Sequence, residues 1–164
     1  MTRWSSWTRR LAGERWALVP LRLAVGFGFA AHGWAKLARG PESFATILAA
    51  IGVPAPGPTA WLTTLLELVG GVAVMLGAAV APLSVPLCAI LATAMLSVHL
   101  PYGFSSIRLQ AVTAAGAKFG PVGYEIDVLY IAGLVTLALG GTSPVSIDRW
   151  RETRRRAQRG LSSR

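Results

Sequence analysis

Four apolar runs, at residues 17–37, 60–80, 83–100 and 123–141, constrain this chain more than any other feature. Each supplies the ~18–20 residues that a helix needs to cross a ~30 Å hydrocarbon core. Lipid offers the backbone no hydrogen-bonding partner, so each run is predicted to be a helix and not a strand. Charged residues make up only 14% of the chain, against about a quarter in a soluble domain. The expected fold class is therefore all-α: a four-helix transmembrane bundle.

The basic residues set the expected orientation. Arg3, Arg9, Arg10 and Arg15 precede the first run, and Arg149, Arg151, Arg154, Arg155, Arg156, Arg159 and Arg164 follow the last. Cytoplasmic flanks carry the excess of Lys and Arg, so both termini are expected to be cytoplasmic, as an even number of spans allows. Three segments follow: a basic, interfacial cytoplasmic segment at 1–16, the four-span bundle at 17–141, and a basic cytoplasmic tail at 142–164, read as helical. Trp4, Trp7 and Leu11 recur at helical spacing opposite Arg3 and Arg10, the pattern of a helix lying on the inner surface. A basic tail can also mark nucleic acid, but tails beside a span set topology and touch anionic headgroups. The lipid bilayer is the expected partner, with no nucleic acid. "TRRLAG" beside an apolar run resembles a twin-arginine signal, yet Arg22 interrupts that run and three more follow, so the first helix reads as uncleaved. Cys88 is the single cysteine and can form no internal disulfide.

The connections carry their own signals. Residues 42–51 read as a short amphipathic helix with Phe44, Ile47, Leu48 and Ile51 on its apolar face, stopped by Gly52 and the following prolines. Pro82 and Pro86 mark the start of the third long helix, and Pro101 with Gly103 closes it. The connection at 102–123 is long and glycine-dotted and reads as a loop. Ser146 is placed to cap a last helix, with Asp148 and Glu152 near its positive end.

Ionisable groups inside a span cost ~2.5–3.5 kcal/mol each and are read as functional by default. Here they are not scattered. On an ideal helix, residues 22, 29, 33 and 36 fall within about 60° of one another, and His32 extends the stripe. The second run repeats this with Glu67, Gly70, Gly71 and Val74, and small residues let a neighbouring helix approach closely. His32, Lys36, Glu67, His99 and Glu125 all fall in the expected outer third. Glu67 can accept from Lys36 or His32, and Glu125 from His99 or Lys36. Glu125 and Asp127 are about 200° apart on a helix, so only one can face the interior. Glu125 is expected to do so, with Asp127 left to the loop. Arg22 lies near the inner end and is expected to reach the headgroups along its flexible stem.

The segments LRLAVGFGFAAHGWAKL, IGVP, LLELVGGVAVMLG, SVHLPYGF, GYEIDVLYIAGLVTLALGG and SPVSID occur in that order. Together, over residues 21–148, they resemble the DoxX family of small four-helix membrane proteins. The resemblance implies a multi-pass protein of a bacterial-type plasma membrane (the inner membrane), tied by family name to thiosulfate:quinone oxidation. Its pattern maps onto Arg22, His32, Gly33, Lys36, Glu67, Gly71, His99, Glu125 and Asp148.

A quinone site is the sharpest functional expectation. A quinone needs an apolar slot for its ring, hydrogen-bonding groups for its two oxygens and a proton path. His32, Glu67, His99 and Glu125 are the expected catalytic residues, with Lys36 and Arg22 binding substrate. His32 stands foremost, because imidazole exchanges protons near neutral pH and His99 can approach it. No flavin, dinucleotide or paired-cysteine motif is present, so electrons would come from a partner or a bound cofactor. Haem between His32 and His99 is disfavoured, since the glycines bring the helices close, and no metal is expected. The competing reading is that these polar groups hold four helices in register. The chain would then be a non-catalytic anchor or adaptor recruiting cytoplasmic redox or sulfur-transfer enzymes. A transporter is the third reading, but no pair of broken helices is seen.

Overall fold

The computed structural model describes residues 15–162. Trp4, Trp7 and Leu11, expected on the inner surface, lie outside the described residues. The four apolar runs become α1 (Leu18–Arg39), α3 (Pro56–Leu76), α4 (Val80–Ala94) and α5 (Glu125–Gly140). The short helix expected at 42–51 is α2 (Pro41–Ala50), and the basic tail forms α6 (Ile147–Ser162). After Ala94 the helical path continues through a π turn, Met95–His99, and a 3-10 turn, Leu100–Tyr102. Among the described residues, two helices, Pro56–Leu76 and Val80–Tyr102, are long and apolar enough to cross a membrane. α1 carries Arg22, Lys36 and Arg39, and α5 has 16 residues, a length of about 24 Å.

Local chemistry places the helix ends. α3 begins four residues before its apolar run because Pro56 and Pro58 need no N–H partner in a first turn. It stops at Gly77, whose left-handed backbone (φ 66°) suits glycine. The turn into α4 is therefore Gly77 to Ala79, slightly earlier than the gap at 81–82 between the apolar runs suggests. Pro86 lies inside α4, where its ring removes one backbone hydrogen bond. The connection expected to be a loop contains a hairpin of β1 (Leu109–Thr113) and β2 (Gly116–Phe119). The strands are antiparallel and wholly exposed, and the pairing is irregular between Leu109 and Ala111. The fold is thus mostly helical but not purely so. Alternation was hard to read there because neither strand face is buried.

Polarity is arranged opposite to that of a water-soluble domain. The buried set holds Arg22, Thr64, Glu67, Ser84, Asp127 and Ser143 beside only eight apolar side chains, among them Phe29, Val74, Leu87 and Leu134. Outside, α3 presents Leu62, Leu65, Val69, Val72 and Leu76, which are 43–67% exposed and recur every three or four residues. Such a continuous apolar stripe is the surface of a membrane protein. The helices meet through glycine. A Cβ built on Gly71 would lie 2.4 Å from the Ala30 nitrogen, one on Gly26 2.6 Å from the Gly71 carbonyl oxygen, and one on Gly33 2.4 Å from the Leu68 nitrogen. α1 and α3 therefore touch backbone to backbone, and no larger residue fits. α5 closes on α1 more loosely, with Phe29 and Tyr130 edge to face at 5.6 Å.

Gly71→Ala is expected to destabilise the protein by about 1–3 kcal/mol, because backbone atoms must move to admit the methyl group. Gly57 in the first turn of α3 has open space around it, so Gly57→Ala is expected to be neutral or stabilising by up to about 1 kcal/mol. Reversible denaturation in detergent measures both; equal effects would show that α1 and α3 do not meet through Gly71.

Candidate functional site

Two pairs of ionisable groups form at one end of the helices, where α1 ends and α3 and α5 begin. The close approach at Gly33 and Leu68 brings α1 and α3 together one turn below Lys36. The Lys36 ammonium lies 2.7 Å from Glu67 Oε2, with Glu67 almost fully buried and Lys36 about a fifth exposed. That oxygen has no aligned donor, so the contact is an ion pair rather than a directed hydrogen bond. The ammonium also sits 4.2 Å from the centre of the Phe44 ring on α2, which shields its outer side. Of the two donors expected for Glu67, Lys36 is the one that reaches it.

The second pair joins α4 to α5. His99 Nδ1 lies 2.6 Å from Asp127 Oδ2, with Asp127 3% exposed and His99 28%. A strap at Gly103 to Ser106 sets this geometry. The amides of Tyr124 and Glu125 donate to the carbonyls of Gly103 and Phe104 at 3.1 and 2.9 Å. A Cβ on Gly123 would lie 2.2 Å from the Gly103 carbonyl oxygen, so the strap can lie this close only over glycine. With these ends clamped, the π turn presents His99 to the first turn of α5. A carboxylate on Nδ1 fixes the imidazole tautomer and leaves Nε2 to accept or deliver a proton. π turns recur at functional sites for such redirection of a side chain.

Three sequence expectations are corrected. Asp127, and not Glu125, is the acidic group turned into the interior. Glu125 Oε2 instead accepts the Ser106 amide at 2.9 Å and helps to hold the strap. The preference for Glu125 rested on helical spacing alone, which cannot register how the strap rotates the first turn. His32 is exposed on α1 and makes no polar contact with either pair. The buried stripe of α1 runs through Arg22, Val25, Gly26, Phe29 and Gly33, leaving His32 just past its edge.

Arg22 does not reach out to headgroups. It is 5% exposed, and its guanidinium donates from Nη1 to Ser143 Oγ at 2.5 Å and from Nη2 to the Val145 carbonyl at 2.7 Å. It thereby ties the link between α5 and α6 to α1, at the end of the helices opposite the two pairs. Asp148 works beside it as a helix-end group: its carboxylate accepts the Val80 amide at 3.3 Å, and its own amide donates to the Gly77 carbonyl at 3.0 Å. Ser146 Oγ accepts the Arg149 amide at 3.2 Å, the cap read from the sequence.

Among the described residues, no three of His, Cys, Asp and Glu come close enough to hold a metal ion. The DoxX family model matches residues 17–100, just over half of the 164 residues. The match takes in Arg22, His32, Lys36, Glu67 and His99 and stops before the hairpin, Glu125 and Asp127. No curated protein and no solved structure matches the chain.

Lys36→Met is expected to destabilise the protein by roughly 3–5 kcal/mol, because it strands the Glu67 carboxylate among apolar neighbours. Lys36→Met combined with Glu67→Leu is expected to recover most of that loss. Denaturation in detergent reads both, and a double variant as unstable as the single one would show that the two residues are not coupled.

Proposed function

The chain belongs to the DoxX family, and from that premise we propose that it is an integral subunit of a membrane redox system that engages a quinone or a related small molecule at His99. In this reading α1, α3, α4 and α5 span a bacterial-type plasma membrane, with both termini cytoplasmic and the two ionisable pairs in the outer leaflet. The observation that carries it is the His99–Asp127 pair. A quinone taking up two electrons must also take up two protons, and an imidazole whose other nitrogen is fixed by a buried carboxylate suits that transfer. The surroundings suit a lipid-borne ring, since Leu96, Val98 and Leu100 beside His99 are 39–63% exposed. In the proposal His99 exchanges the proton, Asp127 positions it, and Lys36 with Glu67 offers a second polar pair at the same end. Electrons come from a protein partner or a bound cofactor, because no residue set in this chain stores them. The exposed rings of Trp34, Trp61 and Tyr102 at one end and Trp16 and Trp150 at the other support the spanning orientation, since amphipathic rings favour the interfaces.

A second reading has its own observation. The side chains of α6 from Arg149 to Arg159 are exposed, with arginine on several sides, as an adaptor recruiting acidic cytoplasmic redox or sulfur-transfer enzymes requires. Purification from the native membrane separates the two readings. Extractable quinone in the purified protein supports the first, and a quinone-free protein that co-purifies with soluble enzymes supports the second. Under the first reading, His99→Gln is expected to weaken binding of a short-chain quinone about tenfold, the worth of one good hydrogen bond. His32→Gln, away from the pair, is expected to leave it unchanged. Quenching of intrinsic tryptophan fluorescence measures both.

Orientation is tested separately. In a Cys88→Ser background, Lys118→Cys on the hairpin is expected to react with an impermeant maleimide in intact cells. Arg155→Cys is expected to react only after permeabilisation. Labelling of position 155 from outside would overturn the orientation.

A further inference from the structure

We propose that a cavity at the end of the helices opposite His99 is a phosphate site, and that it holds the headgroup of an anionic phospholipid. The cavity has a volume of about 600 Å³ and opens where α1 and α4 begin and α3 and α5 end. Arg15, Arg22, Arg151, Arg155 and Arg156 line it. Among the described residues two carboxylates also line it, Asp148 and Glu152: Asp148 accepts the Val80 amide, and Glu152 accepts the Thr142 hydroxyl at 3.2 Å. Arginine surplus lining a cleft attracts an anion more strongly than the same charge spread over an open face.

The site is built rather than incidental. Arg22 is 95% buried at its floor, held by Ser143 and Val145, and its Nε has no partner among the described residues. Two glycines leave room for the guanidinium groups. A Cβ on Gly77 would lie 2.4 Å from Arg22 Nη1, and one on Gly141 would lie 2.3 Å from Arg15 Nη1. Guanidinium forks match phosphate oxygens two at a time.

A lipid phosphate fits better than a free one because of the other lining. Leu18, Pro82 and Leu137 give the cavity an apolar side, and Leu76 and Leu139, next in sequence to the lining residues Gly77 and Ala138, are 54% and 83% exposed. A phosphodiester seated among the arginines can run its acyl chains along that apolar exterior, whereas inorganic phosphate gains nothing from it. Basic pockets between helix ends on the cytoplasmic side bind such headgroups by the same combination. The quinone reading is not needed for this inference. The proposed orientation enters only in naming the inner leaflet as the lipid's source.

The test uses the full chain, delipidated in detergent and titrated with phosphatidylglycerol or phosphatidylcholine under native mass spectrometry. One phosphatidylglycerol is expected to be retained per chain, with phosphatidylcholine lost under the same conditions. Arg155→Gln with Arg156→Gln is expected to weaken that retention about 25-fold, roughly fivefold for each arginine. Arg149→Gln with Arg154→Gln removes the same charge from α6 outside the cavity and is expected to change it less than twofold. Equal losses from the two double variants would replace the site with a diffuse basic face and overturn the proposal. Displacement of the lipid by equimolar inorganic phosphate would overturn the lipid assignment. Equal retention of phosphatidylcholine would overturn the phosphate site itself.

Discussion

The contact on which this structure depends is the one between the backbones of α1 and α3. Gly26, Gly33 and Gly71 remove the side chains that would hold the two helices apart, and the Gly71 Cα then lies against Ala30. In a lipid environment, apolar burial gives two helices little reason to associate, so close van der Waals contact and polar pairing must supply it. The glycines provide both. They bring the backbones together, and by doing so they place Lys36 within 2.7 Å of Glu67. A wider separation would leave each charge alone in a medium where an unpaired charge is strongly destabilising. Packing and ion pairing here are one interaction seen at two points along the same helix pair.

The same dependence governs α4 and α5, with a strap in place of glycine-lined helices. Gly103 and Gly123 let the chain after α4 lie against the start of α5, and the Ser106 amide is satisfied by Glu125. His99 and Asp127 then face one another without any need for the rest of the two helices to touch as closely as α1 and α3. Arg22 performs the corresponding task at the far end, where it holds the link into α6. Arg22, Lys36, Glu67, His99 and Asp127 are therefore each spent on a junction between elements. His32 lies instead on the exposed side of α1.

Much of this was legible in the residues, and the failures share one cause. The apolar runs located all four long helices, and the spacing of Arg22, Phe29 and Gly33 with that of Glu67, Gly70, Gly71 and Val74 identified the buried faces of α1 and α3. Those faces are set by the period of a regular helix, which a sequence displays. Glu67 and Lys36 were also recoverable, because depth and face together leave few partners. His99 was flagged but given the wrong acid, since its direction depends on a π turn and on the strap from Gly103. Neither has a periodic signature. Arg22 was read as a flexible stem seeking water because its partners, Ser143 and Val145, lie more than a hundred residues away on an irregular link. The hairpin escaped notice because both its faces are exposed and nothing enforces alternation. Where a regular helix decides the geometry, sequence suffices; where a turn decides it, coordinates are needed.

The two ends of the helices differ in a way that bears on what each can bind. At the His99 end each of the two buried acids, Glu67 and Asp127, faces a basic partner, Lys36 and His99, and the pairs lie beside exposed Leu96 and Leu100. A neutral, lipid-soluble molecule can approach there without losing a counter-charge, and an anion gains little. At the Arg22 end, among the described residues, five arginines line the cavity with two carboxylates, so the surplus charge favours an anion over a neutral ring. A phosphate at the first end would lie against Glu67 and Asp127, with the repulsion that like charges bring in a poorly screened setting. The asymmetry follows from where α6 begins. With Arg151, Arg155 and Arg156 lining the cavity beside Leu18 and Leu137, α6 adds its positive charge at the end where Arg22 lies.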